Sequence, residues 1–178
     1  GTNTLTNINA VTANATTFME GLAAADFETD NKQYFTVTDV NLSNAFPLKN
    51  GNTDKKISVC LWFRLESLGR RYLWCKSDET KTSLTLYVEG GSGMGGKYYV
   101  FLRKGYNNGL SYEQTWLTTL PLSAGQWYHL AATYDDTTKT YRIRVYDQAA
   151  DVASERTGSF ANSIAVTKAD VRIGASPV

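Results

Sequence analysis

The sequence predicts an all-β fold of antiparallel strands arranged as a two-sheet sandwich or barrel. Aromatic residues make up 12% of the 178 residues and eleven of them are tyrosines, a composition typical of strands. About ten short apolar segments are separated by turn sequences at regular spacing. The sequence shows no amphipathic helical segments alternating with them, as a parallel fold would need. A chain of this length is the size of one domain with a full core.

In the first third of the chain, the sequence predicts a polar N-terminal segment, which we call the lead-in segment, followed by two short strands. Residues 1–20 are rich in Asn and Thr, so they either lie along the surface or supply an edge strand. Short strands are predicted at 22–27 and 34–38, joined by a polar turn. Residues 43–55 contain Pro47 and an Asn-Gly turn sequence and predict a loop.

The strongest strand pattern lies at residues 56–65. Its side chains alternate with a period of two and both faces are largely apolar, which is typical of a strand buried between two layers. One face presents Ile57, Val59, Leu61 and Phe63, and the other presents Cys60 and Trp62. We therefore predict a central strand. Three more strands follow it as a meander, at 70–76, 83–89 and 97–104, with a glycine-rich hairpin loop before the last.

The second half predicts a long polar loop followed by further strands. The loop runs from Gly105 to Gln114. The clearest hairpin joins 127–134 to 140–147, because apolar residues and arginines alternate along its second strand. Other strands are predicted at 115–120, 164–167 and 170–174.

Charge and hydropathy disfavour two classes of partner. Eighteen Lys and Arg against seventeen Asp and Glu give a net charge of +1, which does not attract nucleic acid or anionic membranes. The longest apolar run, Val59–Phe63, is far shorter than the roughly 20 residues of a spanning helix, so no membrane insertion is expected. The first residues lack signal-peptide features, so any export signal was removed or lay upstream.

The two cysteines, Cys60 and Cys75, are too few for a disulfide framework and lack zinc-ligand spacing. If a tight hairpin turn lies between residues 67 and 68, antiparallel pairing places Cys60 opposite Cys75. A bridge would then need a Cα separation below about 7 Å. Free core thiols are favoured over the bridge, and the question stays open.

Catalytic motifs are absent from the sequence. Glu113 and the Asp135–Asp136 pair lie in polar loops or turns, where solvated carboxylates are expected. His129 is the single histidine and is predicted to be structural. The run Gly91–Lys97 resembles a phosphate loop but lacks its Ser or Thr and precedes a strand. We therefore expect no enzyme activity.

Three segments, at 55–66, 125–147 and 170–174, resemble the laminin G-like branch of the concanavalin A-like lectin/glucanase superfamily. Residues 58–89 are also similar to a pentraxin core. The resemblance covers Phe27 to Gly174 and implies a jelly-roll sandwich. It identifies residues 1–178 as a single laminin G-like domain within a larger protein.

The chain departs from these families in three ways. The last family strand has no counterpart after residue 174, so the sheet lacks its closing strand unless the lead-in segment or a further C-terminal segment fills the place. Leu130 stands where pentraxins have a disulfide cysteine. The Glu-x-Asp-x-x-Glu run of the glycanase clan is missing.

The pentraxin resemblance implies a calcium site at the loop that contains Asp78 and Glu79. Calcium prefers six to eight oxygen ligands. The second pentraxin cluster would follow Gly174, where the sequence offers no carboxylate. We therefore expect any ion there to bind weakly or to be completed from outside the chain.

The candidate ligand-binding residues lie in the loop predicted from Gly105 to Gln114; they are Tyr106, Asn107, Asn108, Tyr112 and Glu113. Exposed aromatic rings stack on pyranose rings, while amides and carboxylates reach the hydroxyl groups. The alternative, that one or both tyrosines cap the core, has equal weight. The four tryptophans, Trp62, Trp74, Trp116 and Trp127, are assigned to the core.

These observations predict a non-catalytic recognition or adhesion module, a lectin-like domain that binds a carbohydrate or protein ligand. The resemblance implies an extracellular or cell-surface protein with neighbouring domains. The alternative is a structural or assembly domain of a surface or virion protein with protein partners. A glycoside hydrolase ranks third.

Overall fold

The computed structural model describes residues 3–28, 30–53 and 55–175. Thirteen strands are present in these residues: β1 (Thr6–Ile8), β2 (Thr12–Asn14), β3 (Ala24–Asp26), β4 (Tyr34–Val37), β5 (Lys56–Arg64), β6 (Arg71–Ser77), β7 (Thr82–Gly91), β8 (Lys97–Tyr106), β9 (Ser111–Trp116), β10 (Trp127–Asp135), β11 (Thr140–Asp147), β12 (Val152–Ser159) and β13 (Val171–Ile173). Three short 3₁₀ turns lie at Asp39–Asn41, Ser92–Met94 and Asn107–Gly109. None of the helical segments in the described ranges could cross a membrane.

The strands form two large antiparallel sheets and a small ribbon. The seven-stranded sheet has the order β1-β4-β13-β6-β7-β8-β9, the four-stranded sheet has the order β12-β11-β10-β5, and β2 pairs with β3. The predicted antiparallel sandwich is therefore confirmed. The predicted hairpin of β10 and β11 is also confirmed, with Leu130 opposite Val145.

The core lies between the inner faces of the two sheets. Alternate residues of β10 and β11 point inward, as their sequence pattern predicts, and Leu130 and Ile143 are completely buried there. Each such side chain contributes about 1.5–3 kcal/mol on burial. Buried tyrosines keep hydrogen-bond partners: the Tyr134 hydroxyl donates to Asp136 at 2.7 Å, and that of Tyr141 donates to Thr115 at 3.3 Å.

The predicted central position of β5 was wrong. Among the described residues this strand pairs only with β10 and is an edge strand, and the meander consists of β6 to β9 in the other sheet. The apolar residues on the second face of β5 do not indicate burial between two layers, because Trp62 lies on the outer face of the four-stranded sheet. There its ring contacts His129 at 5.0 Å and its indole donates to Glu20.

The two cysteines are free and far apart in the topology. Cys60 lies exposed on β5, whereas Cys75 is buried on β6 in the opposite sheet, so the conditional pairing across a hairpin was wrong. The favoured free thiols are confirmed, although only Cys75 lies in the interior. The segment from 65 to 70 crosses between sheets and is no hairpin turn. Burial raises the pKa of the Cys75 thiol to about 12.

Three other segments differ from the prediction. The segment from Gly105 to Gln114 is a hairpin, because β8 ends and β9 begins on either side of one 3₁₀ turn. Residues 164–167 form no strand. The sequence pattern missed β12, since this edge strand is polar on both faces and has no hydrophobic alternation.

The lead-in segment supplies the edge strand β1, as one of its two predicted roles required. It pairs with β4, and β4 pairs in turn with β13. The last strand is therefore flanked on both sides, by β4 and β6. The sheet therefore continues beyond β13 through β4 and β1, which fill the place for which the sequence offered no closing strand.

Two buried lysines, Lys76 and Lys104, donate hydrogen bonds to the segment that connects β12 to β13. They flank Leu84 on the inner face of the seven-stranded sheet. Lys76 donates to Asp39 and to the carbonyl oxygen of Ala169, each at 2.6 Å. Burial lowers the pKa of Lys76, while the hydrogen bond to Asp39 opposes that shift. The second lysine, Lys104, belongs to the β8–β9 hairpin.

Candidate functional site

The β8–β9 hairpin contains the five predicted ligand-binding residues, but it divides them between two faces of the sheet. Lys104 pairs with Glu113, and Gly105 pairs with Tyr112. Neighbouring side chains of a strand point to opposite faces. Tyr112 therefore lies on the outer face, whereas Glu113 and Tyr106 lie on the inner side. The structure does not bring the two tyrosines together.

The inner side of the hairpin is an ion pair enclosed by aromatic rings. The Lys104 side chain is completely buried, and its ammonium group donates to Glu113 at 2.6 Å and to the carbonyl oxygen of Asn162. Rings of Tyr106, Tyr134 and Phe160 lie within 6 Å of the same nitrogen, at 5.8, 5.9 and 5.1 Å.

Glu113 holds the segment that follows β12. Its carboxylate accepts hydrogen bonds from the backbone amides of Ala161, at 2.9 Å, and Asn162, at 3.2 Å. Burial opposes its ionisation, but the hydrogen bonds from Lys104 and from the two amides outweigh burial and lower the pKa of Glu113. The oxygens of this carboxylate are thus occupied by internal partners.

The turn of the hairpin presents the two asparagines. Asn107 and Asn108 are exposed and have positive φ values of 51° and 55°, a conformation that asparagine tolerates. Their side chains make no hydrogen bond that would fix them within the described residues. They lie at the end of the sheet, in the turn that precedes β9 and Tyr112.

The outer side of the hairpin is a cluster around Arg103, which we call the Arg103 cluster: Tyr87, Arg103, Tyr112 and Gln114. The guanidinium carbon lies 4.2 Å from the ring centroid of Tyr112 and 5.0 Å from that of Tyr87. Arg103 donates to Gln114 and to the Tyr87 hydroxyl, which itself donates to Gln114. Burial raises the pKa of Tyr87 against the opposing charge of Arg103, so the hydroxyl remains a donor.

Four stacked rings cross the outer face beside this cluster. This aromatic ladder consists of Tyr72, Tyr87, Phe101 and Trp116. Successive centroids lie 5.6, 5.1 and 5.2 Å apart, with planes within 29° of parallel. Because β9 is the edge strand, Trp116 has a ring neighbour on one side among the described residues. Offset stacking of this kind contributes about 0.5–1.5 kcal/mol per pair.

The aromatic ladder was missed because its members were assigned to strands and core. Trp116 was predicted in the core, but it lies half-buried on the outer face. The available signal was the pattern of β8, in which Tyr99 and Phe101 alternate with Val100 and Leu102, so both faces carry large side chains although only one meets the other sheet. Trp62 likewise lies outside the core, whereas Trp74 belongs to the core as predicted.

Asp78 and Glu79 lie in the turn between β6 and β7. One oxygen of Asp78 accepts hydrogen bonds from the amides of Thr80, at 2.8 Å, and Lys81, at 2.7 Å. Burial opposes ionisation, but these bonds outweigh it and lower the pKa of Asp78. In the parts of the chain that the structure describes, no three metal-ligating side chains converge. Weak calcium binding here stays a prediction.

A groove of about 820 Å³ lies between β3 and the free edge of β5. Its aromatic lining residues are Phe27, Phe35, Trp62, Phe63, Tyr72 and Trp127, and its carboxylates are Glu20, Asp26, Glu28, Asp30 and Glu66. Tyr72 belongs also to the aromatic ladder, so the ladder runs from this groove to the edge strand β9. The groove is a second place at which a ligand could lie.

Comparison with solved structures shows the fold in proteins of different kinds. The enzymatically active domain of bacteriophage CBA120 tailspike protein 2 matches 97% of this chain at 14% identity, with a TM-score of 0.64. The full-length tailspike protein 2 from an Escherichia coli O157:H7 bacteriophage matches 88% at 14% identity, with a TM-score of 0.59. The LG1-3 region of the laminin alpha2 chain matches 82% at 15% identity, with a TM-score of 0.55.

This chain spans only 20% of the full-length tailspike chain and 25% of each of the other two. No curated protein sequence matches it. A family model of the laminin G group, described as the concanavalin A-like lectin/glucanases superfamily, matches residues 29–178. The chain therefore belongs to the laminin G-like branch of the concanavalin A-like lectin/glucanases superfamily.

Proposed function

We propose that this domain is a non-catalytic recognition module that binds a glycan on the outer face of the seven-stranded sheet, beside Tyr112. The observation that supports this most is the Tyr112 side chain, which stays 52% exposed although Arg103 holds its ring. A ring that is already immobilised loses little conformational entropy when a pyranose stacks on it. The family supports the class of function only, because its fold serves lectins and glucanases alike.

The surroundings of Tyr112 fit a sugar ligand in two respects. The Gln114 side chain is exposed beside Tyr112 and supplies amide hydrogens for hydroxyl groups. The half-buried Trp116 ring extends the aromatic surface along β9. Both residues lie on a paired strand, and sites on regular strands are held more firmly than sites on loops. Laminin G-like domains are typically extracellular, so we place this domain outside the cell or on its surface.

A glycan array with and without calcium tests the proposal. We expect reproducible binding to a defined group of glycans that is weakened in Tyr112→Ala and unaffected by removal of calcium. Incubation of the bound glycans with the protein, followed by product analysis, checks the non-catalytic assignment. Binding by Tyr112→Ala at the level of the parent protein would contradict the site, and cleavage of the glycan would contradict the non-catalytic role.

An assembly role is the second candidate, and a specific surface supports it. The first forty residues contain four exposed large apolar side chains, Leu5, Phe18, Leu22 and Val40, and Leu22 is 90% exposed. A large apolar side chain left in water gains free energy when a partner covers it. Sedimentation of the parent and of Leu22→Ser tests self-association. If the parent protein is monomeric, the assembly role can involve only other proteins as partners.

A further inference from the structure

The outer face beside Tyr112 contains a cation without a counter-ion. Arg103 donates through Nε and Nη2 to the Oε1 atom of Gln114, at 3.4 and 3.2 Å, and through Nη2 to the Tyr87 hydroxyl at 3.0 Å. All these acceptors are neutral. In the described ranges no Asp or Glu lies within salt-bridge distance of Arg103. The guanidinium thus keeps its full positive charge at a half-buried position.

The hydrogen bonds between Arg103, Gln114 and Tyr87 leave donors of Arg103 and Gln114 without a partner among the described residues. Gln114 Oε1 is occupied by Arg103 and by the Tyr87 hydroxyl, which donates to it at 3.1 Å. The same hydroxyl already accepts from Arg103. Arg103 Nη1 and Gln114 Nε2 make no hydrogen bond to any residue in the described parts of the chain, and each has two N–H groups. A matching ligand must therefore present acceptors.

We propose that the ligand is an acidic glycan, in which a carboxylate on a sugar ring accepts hydrogen bonds from Arg103 Nη1 while that ring stacks on Tyr112. This inference rests on the proposed function and names its class of ligand. A carboxylate is an acceptor at both oxygens, so it satisfies the donors without needing an acceptor in return. A hydrogen bond between two charged groups is roughly twice as strong as one between neutral groups.

The geometry of Arg103 favours this use of its charge. The guanidinium is held over two rings and by two acceptors, so it loses little freedom when an anion binds. Arg142, on the outer face of the four-stranded sheet, is the internal contrast. It is more exposed, but Glu155 neutralises it at 2.6 Å and leaves no charge for a ligand. Arg142 is therefore the matched control for Arg103.

The test measures the affinity of the parent, Arg103→Gln and Arg142→Gln for three probes by calorimetry. The probes are tetragalacturonic acid, the same oligosaccharide with its carboxyl groups reduced to alcohols, and a sulfated neutral tetrasaccharide. We expect the parent to prefer the acid over its reduced form by about tenfold or more. Arg103→Gln should lose that preference and bind both forms with similar affinity, somewhat below that of the parent for the reduced form because Arg103 also holds the Tyr112 ring. Arg142→Gln should behave as the parent.

The outcomes separate the two proposals. Equal affinity of the parent for acid and reduced probes would overturn the acidic-glycan inference while leaving glycan binding intact. Preference for the sulfated probe over the acid would overturn the carboxylate and assign the site to sulfate. Failure to bind any probe, together with an empty glycan array, would overturn both proposals. Thermal unfolding of each variant excludes misfolding as the cause, and Arg103→Lys, which keeps the charge, should retain part of the preference.

Discussion

Arg103 and Lys104 are neighbours on β8, yet the two faces of the sheet give them opposite roles. Lys104 is completely buried and ion-paired with Glu113 across the hairpin. Arg103 remains half-buried, with the neutral side chains of Tyr87 and Gln114 as hydrogen-bond partners. The pair Glu113 and Gln114 on β9 repeats the contrast, with the acid inside and the amide outside.

The difference teaches that one face of the hairpin serves the fold, whereas the other keeps the free charge on which the proposed recognition rests. A buried ammonium needs a carboxylate, because an unpaired charge in the interior is far too costly. A cation at the surface needs no internal counter-ion, because water screens it. A charge that the fold leaves uncompensated at the surface is therefore available for a ligand.

The largest expected effect is on stability, at the inner face. Glu113→Ala leaves the Lys104 ammonium without its counter-ion and removes the acceptor of two backbone amides. We expect a loss of about 3 kcal/mol in the free energy of unfolding, as for other broken buried pairs. Urea denaturation measures it. The matched control Gln114→Ala, one residue along on the outer face, should cost far less, and equal losses would contradict the division between faces.

A smaller effect follows from pH. The pKa of Glu113 is lower in the folded chain than its ordinary value of about 4.5. A depressed carboxyl pKa contributes stability that is complete above the unfolded value and is lost as the pH falls through the folded value. We therefore expect stability to fall as the pH drops from about 5 through the lowered pKa of Glu113, measured by urea denaturation in a series of acidic buffers.

The variant Glu113→Gln isolates this contribution. It should be less stable than the parent at neutral pH and should show a flatter decline in acid. An identical acid decline in parent and variant would show that Glu113 has the same pKa in both states and would contradict its role in the ion pair.

The third effect is on binding, at the outer face. Tyr112→Ala should weaken glycan affinity about fivefold, corresponding to about 1 kcal/mol of ring stacking. Its unfolding free energy should change by less than about 0.5 kcal/mol, since the side chain lies on the surface. Tyr106→Ala, on the inner side, should leave the affinity unchanged. A similar loss of affinity in both variants would mean that the face of the sheet does not decide the role.

The smallest effect concerns Gln114→Ala. This change removes the acceptor that orients the Arg103 guanidinium but no charge. We expect a loss of affinity of about threefold with stability almost unchanged, in keeping with a single hydrogen bond. Calorimetry with the same glycan measures the affinity. A loss of affinity as large as that of Tyr112→Ala would contradict the expected order of the two effects.

The sequence predicts the fold class well because alternation along a strand is a local property. The hairpin of β10 and β11 follows directly from the alternation of Ile143 and Val145 with arginines. The position of β5 at a sheet edge depends on pairing with a strand about seventy residues away, which local patterns do not contain. The polar strand β12 escaped detection for lack of buried side chains.

The candidate site was predictable in its residues but not in its geometry. Tyr112 and Glu113 were both selected, because they lie among polar residues. Which face each occupies depends on the register of Gly105 with Tyr112, and a segment interpreted as a loop has no register. Arg103 was not selected, since the absence of a counter-ion becomes visible only when the neighbouring strands are in place.

The four tryptophans allow a direct test of the outer-face site, by NMR of the indole N–H groups during titration with a glycan from the array. Trp116 is the last residue of β9 and lies on the outer face, Trp62 and Trp127 line the groove, and Trp74 is buried in the core. We expect the Trp116 signal to shift with increasing glycan while the Trp74 signal stays in place. Shifts at Trp62 and Trp127 with an unmoved Trp116 would place the ligand in the groove and contradict the outer-face site.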